Sequence, residues 1–324
     1  MIEFLQGDAL TVMKTMESES FQCCVTSPPY WGLRDYGVTG AFGLEETPEA
    51  YVANIVAAFR EVWRVLREDG TLWLNLGDSY TTSNPVGRRD KKYPYDELAG
   101  SYSLNVRKNL WRPSNPNKNG GNSNRNGAGP VEGLKAKNLV GIPWRVAFAL
   151  QTDGWYLRSD IIWHKRNPMP ESVTDRPTKA HEYIFLLSKS ERYFYDAGAI
   201  RERSSEREVF GNSNGKVQFN YDRRDGNSRN LMISEYRNRQ TVWTFATQPY
   251  AEAHFATFPE EIPKLCILAG SKTGDRILDP FAGSGTTGQV ALELGRRAVL
   301  IELNPAYIEL ARSRCNVTPG FPNF

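Results

Sequence analysis

Apolar positions alternate between two rhythms along this chain. Residues 21–26 (FQCCVT) form a short continuous apolar run that predicts a buried strand, and Ser27-Pro28-Pro29 must end it because neither proline can donate to a ladder. Thr47-Pro48 has the form of an N-cap followed by a first helical residue. Val52, Ile55, Val56, Phe59, Val62, Trp63 and Leu66 then make one helical stripe, until Asp69-Gly70 stops it. A strand is predicted at 71–76, a helix at 143–152, and strands at 156–164 and 182–187. The remainder reads helix 259–269, strand 276–278, helix 286–294, strand 298–301 and helix 305–315. Strands alternating with helices predict an α/β fold, a doubly wound, mostly parallel sheet with right-handed crossovers. In such sheets ligands bind beyond the carboxyl ends of strands, at a topological switch point.

Two intervals break the pattern. Residues 83–138 carry few aliphatic side chains and run through NPNKNGGNSNRNGAGP, too little apolar surface to offset the ordering entropy of a packed core. The stretch around 204–238 is again polar, rich in Arg and Asn. Five segments follow: 1–82 and 139–200 as one half of a core domain, 83–138 as a basic insertion, 201–240 as a candidate recognition region, and 241–324 as the second half.

Charge sharpens this division. The whole chain of 324 residues is only +3, yet 83–138 holds 11 basic against 4 acidic residues and 201–240 holds 9 against 6. The two segments therefore carry +10 and the rest −7. Positive charge concentrated in the loop-like segments suits a polyanion such as DNA, although polar loops alone would look similar. Cys23, Cys24, Cys266 and Cys315 show no CxxC spacing, and His164, His181 and His254 are far apart, so no metal site is expected. No run approaches the roughly 18 apolar residues of a membrane helix, and the first residues lack a signal-peptide layout. A cytoplasmic protein is expected.

Two motifs carry the candidate chemistry, TSPPYW at 26–31 and DPFAGSGTT at 279–287, each placed after an apolar strand. Residues 283–288 match GxGxxG, and Glu302 lies at the end of the next predicted strand, so a dinucleotide must be considered. A plain turn, with Thr286 capping a helix, explains the glycines equally well. Asp279 at the strand end suits an ammonium better than a pyrophosphate, and Glu302 suits a ribose diol. A ligand joining an amino acid to a nucleoside fits both acids.

The two motifs in this order resemble the amino-DNA methyltransferases in their beta arrangement, where the catalytic tetrapeptide precedes the cofactor motif. The resemblance also covers Gly7-Asp8, the helix and strand up to Asp78, WHKRNPMP, and the segment from His254 to about Cys315. It implies a class I, Rossmann-like methyltransferase fold and S-adenosylmethionine as cofactor. It implies Asp279, Phe281, Gly283, Gly285 and Thr286 around the methionine end, with Phe255, Thr257, Phe258 and Pro259 closing over it. Glu302 falls on the ribose, and Asp8 on the adenine unless it merely caps a helix. Ser27, Pro28, Pro29 and Tyr30 become the catalytic tetrapeptide, with Ser27 and the Pro28 carbonyl as acceptors for an exocyclic amine and Tyr30 stacking on an extruded base.

On this reading DNA contacts fall to Trp31, Arg88, Arg89, Lys91, Lys92, Lys165, Arg166, Arg223, Arg224 and Arg229, with Arg237 and Arg239 as further candidates. Serine at the first tetrapeptide position goes in that family mostly with cytosine N4, and Asp or Asn with adenine N6. The expected activity is N4 methylation of a flipped cytosine in double-stranded DNA, with adenine N6 as the runner-up. The expected partners are DNA and a cognate restriction endonuclease, the protein being a monomer or homodimer. Methylation of RNA or protein, or a DNA-binding module without activity, are the readings from other classes.

Overall fold

The computed structural model describes residues 1–32, 42–82, 131–204, 236–248 and 258–315. Its centre is one eight-stranded sheet in the order β1-β10-β9-β2-β3-β5-β4-β8, made of β1 (Ile2–Gln6), β2 (Phe21–Thr26), β3 (Leu66–Leu76), β4 (Tyr156–Lys165), β5 (His181–Ser188), β8 (Val242–Phe245), β9 (Arg276–Asp279) and β10 (Arg297–Glu302). β5 pairs antiparallel with both β3 and β4, while every other pairing is parallel. The doubly wound, mostly parallel sheet is therefore present, with one reversed strand.

The period-2 alternation of the strands builds two cores. Cys24, Leu72 and Leu74 face one side, against α1 (Ala9–Met13), α2 (Pro48–Val65) and α3 (Ile142–Thr152). Cys23, Val25 and Trp73 face the other, against α4 (Glu261–Gly270) and α5 (Thr286–Glu293). The last helix is α6 (Pro305–Arg314). All four cysteines are buried, and burial pushes the Cys23 thiol up to about 12, which removes it as a nucleophile at neutral pH.

Thr47 caps α2 as expected, its hydroxyl accepting from the Ala50 amide at 3.1 Å, with Pro48 in the first turn. The helix stops at Val65 rather than at Asp69-Gly70, and β3 begins directly at Leu66. The apolar stripe overran because Leu66 packs equally well as a buried strand residue. Trp63 does not join the core: it is 40% exposed, under the Lys189 ammonium.

The borders of the two polar intervals are ordered. The Thr81 amide donates to the Asn138 carbonyl, the Thr81 carbonyl accepts from the Lys137 amide and the Thr81 hydroxyl donates to the Lys135 carbonyl, which ties residues 135–138 to the chain just beyond β3. β6 (Glu202–Arg203) pairs antiparallel with β7 (Tyr236–Arg237), closing the candidate recognition region with a short ribbon.

The chain leaves β2 through α2 to β3 on one side, and leaves β9 through α5 to β10 on the other. β2 and β9 are adjacent, so the switch point lies between Ser27 and Asp279.

Candidate active site

The two motifs meet by a direct hydrogen bond. The Thr26 hydroxyl donates to Asp279 Oδ1 at 2.6 Å, the Thr287 hydroxyl donates to Oδ2 at 2.6 Å, and the Phe281 amide donates to Oδ1 at 3.1 Å. Asp279 is 1% exposed. The expected ammonium ligand thus turns into the protein, where it joins β2, β9 and the first turn of α5. Burial, reinforced by the nearby Glu302 charge, raises its carboxyl to about 6 despite these donors.

Glu302, at the tip of the adjacent β10, holds the glycine loop. Its Oε2 accepts from the Gly283 amide and its Oε1 from the Asn304 amide, both at 2.8 Å. Burial raises this carboxyl too. Gly285, at φ +80°, sits at the N-cap of α5, so Thr286 is its first helical residue and not its cap. A Cβ on Gly285 would stand 2.7 Å from that of Ala311, so the loop presses on α6. Gly283, at φ +51°, has open space where its Cβ would be. Phe281 packs edge-on to Phe42 with ring centres 5.2 Å apart. Phe258 is half-buried and Pro259 buried at the start of the α4 segment, whereas Phe255 and Thr257 lie outside the described residues. Asp8 caps α1, its Oδ1 accepting from the Thr11 amide at 2.9 Å and the Thr11 hydroxyl at 2.8 Å.

Beyond β2, the Pro29 carbonyl accepts from the Tyr51 hydroxyl at 2.9 Å, while among the described residues the Pro28 carbonyl takes no hydrogen bond. The Tyr30 hydroxyl lies 2.7 Å from Glu182 Oε2, 3.0 Å from Asn75 Oδ1 and 3.2 Å from the Ser27 hydroxyl. Its ring rests on Gly77, where an added Cβ would come within 2.5 Å.

Two expected DNA contacts are corrected. Trp31 is 3% exposed and its indole donates to the Glu45 carbonyl, which makes it a core residue. Lys165 turns inward to Glu182 Oε1 and lies over the Trp163 ring, because a carboxylate only 15% exposed is left uncompensated unless a cation pairs with it. Arg166 is exposed. Arg237 is engaged by Glu202 and Gln240, and Arg239 donates to the Ile200 carbonyl, so neither projects simply outward. Arg88, Arg89, Lys91, Lys92, Arg223, Arg224 and Arg229 lie outside the described residues.

Several members of the site carried no motif. Glu182 is the second residue of the one reversed strand, Asn75 is the last but one of β3, and Gly77 directly follows it. Their signal was the polar break at NLGD after an apolar run, and a lone Glu in HEYIFLL.

An α/β sheet whose switch point joins a diproline corner to an acid-flanked glycine loop is the arrangement that the resemblance to the amino-DNA methyltransferases implied. A family model described as DNA methylase matches residues 21–313, and the chain belongs to that family. It is 47% identical over 310 residues to the type II methyltransferase M.Cfr9I of Citrobacter freundii, covering 95% of this chain and 86% of that protein. In fold it is similar to the PvuII DNA methyltransferase (cytosine-N4-specific), with a TM-score of 0.62, 16% identity and coverage of 99% and 88% of the two chains. It is also similar to TTHA0409 of Thermus thermophilus in complex with S-adenosyl-L-methionine, with a TM-score of 0.56, 22% identity and coverage of 99% and 96%.

Proposed function

We propose that this chain is a type II DNA methyltransferase that methylates the exocyclic N4 amine of a cytosine flipped out of duplex DNA. The observation that carries the reading is the Thr26–Asp279 hydrogen bond, which places the Ser27 to Tyr30 corner beside the glycine loop at adjacent strand tips. The cofactor is S-adenosylmethionine, which when bound supplies an electrophilic sulfonium methyl. The residues fit it: two neighbouring carboxyls are raised by burial, so a cationic ligand relieves both, and Glu302 with the Gly283 loop offers a site for a ribose diol. Asp8, Phe258, Pro259 and Phe281 would complete that half.

The acceptor amine is a poor nucleophile because its lone pair is delocalised into the ring. Ser27 and the Pro28 carbonyl would accept its two hydrogens and so favour a tetrahedral nitrogen. Pro28 and Pro29 fix φ near about −65°, so these acceptors are oriented before the base arrives. Tyr30 would stack on the base, worth ~1–3 kcal/mol, which helps offset the cost of flipping.

Serine at position 27 favours cytosine N4, with adenine N6 as the second reading. Incubation with methyl-labelled S-adenosylmethionine and unmethylated bacterial DNA, followed by nucleoside analysis, tests this. N4-methylcytosine supports the reading, N6-methyladenine supports the second, and label only on cytosine C5 or on no DNA overturns both.

A further inference from the structure

The Tyr30 hydroxyl has one proton and, among the described residues, oxygen neighbours on Ser27, Asn75 and Glu182, and the direction of that proton decides what Ser27 can do. Asn75 donates its side-chain amide to the Tyr183 carbonyl at 3.0 Å, which aims its oxygen at the phenol. Glu182 is nearer, at 2.7 Å, and the Lys165 ammonium on its other oxygen keeps it in the charged, purely accepting form. The pair is only 21% and 15% exposed, so water competes weakly for these bonds.

We propose that Glu182 is a positioning residue for methyl transfer: it accepts the hydrogen bond of the Tyr30 hydroxyl, so that the phenol oxygen accepts from the Ser27 hydroxyl and the serine lone pairs turn to the acceptor amine. A serine whose proton lies elsewhere is an acceptor; one free to rotate presents its proton to the amine part of the time. Tyr30 therefore acts by its hydroxyl as well as by its ring. The inference rests on the transferase reading above.

The test measures single-turnover methyl transfer to unmethylated bacterial DNA for the parent protein, Glu182→Gln, Tyr30→Phe and the double variant, with cofactor and DNA affinities and thermal melting alongside. Each single variant should transfer about 10- to 100-fold more slowly, the scale of one charge-assisted hydrogen bond, with affinities held within about 2-fold. The double variant should be no slower than the slower single, because both changes break one chain of bonds. Losses that multiply, or either single variant at the parent rate, overturn the inference. If Glu182→Gln does not fold, Tyr30→Phe decides alone, since it keeps the ring and the Glu182–Lys165 pair; the parent rate there is the overturning result. A parent protein that labels no DNA overturns instead the function on which the inference rests.

Discussion

The Thr26 hydroxyl donates to the Asp279 carboxylate at 2.6 Å across 253 residues of sequence. Both side chains are about 1% exposed, so this bond is made away from water, where losing a donor leaves a charge short of compensation. It is the physical joint between the diproline corner after β2 and the glycine loop after β9.

Thr26→Val keeps the shape of the side chain and removes the donor. The expected cost is about 1–3 kcal/mol in denaturant unfolding, because the carboxylate stays buried while one of its bonds is lost. Unchanged stability would show that the carboxylate is held by Thr287 and the Phe281 amide alone.

Asp279 also sets a pH dependence. Its carboxyl is raised from 3.8 to about 6, so between those values the folded protein holds more protons than the unfolded chain. The contribution of this group to stability is then full at low pH and is lost as pH rises through about 6. A cationic cofactor prefers the ionised form, so its affinity should strengthen from about pH 5 to about pH 7 and then level off. Calorimetry of cofactor binding across that range checks this, and Asp279→Asn should flatten the profile.

The two loop glycines should respond unequally to alanine. At Gly285 the new methyl meets Ala311 as well as a left-handed backbone, and melting should drop by several degrees. At Gly283 only the backbone penalty of roughly 1–2 kcal/mol applies, since the space is open. Equal losses would mean that the contact with α6 yields freely.

Lys165 provides a test of inward against outward charge. If it serves Glu182 alone, Lys165→Met should leave the salt dependence of DNA binding unchanged, whereas loss of a phosphate contact would lower the slope by about one. Arg166→Ala, at an exposed site, is the comparison.

What could be read from residues alone follows the reach of the signal. The diproline after FQCCVT and the glycines after RILD each mark a strand exit locally, so the two motifs, the sheet and their meeting at the switch point were legible. The end of α2 was not, because Leu66 satisfies both the helical and the strand pattern. Nor was the inward turn of Lys165, which depends on Glu182 arriving from a strand of opposite direction. Trp31 and Trp63 exchanged their expected places: an indole beside the diproline corner went into the core, and one on an apolar stripe stayed outside. Lys165 meets Glu182 17 residues on and Trp31 meets Glu45 14 residues on, each beyond the spacing within one element, so local periodicity carries no trace of these contacts.

The late position of β9 has a consequence for synthesis. β2 is buried along all six of its residues, yet one of its flanks stays unpaired until residues 276–279 have been translated. A nascent chain thus carries the tetrapeptide beside a sticky, half-finished sheet through most of its elongation, exposed to mispairing with other chains. The capacity for chemistry arrives only with the last strands, in the same step that seals that flank.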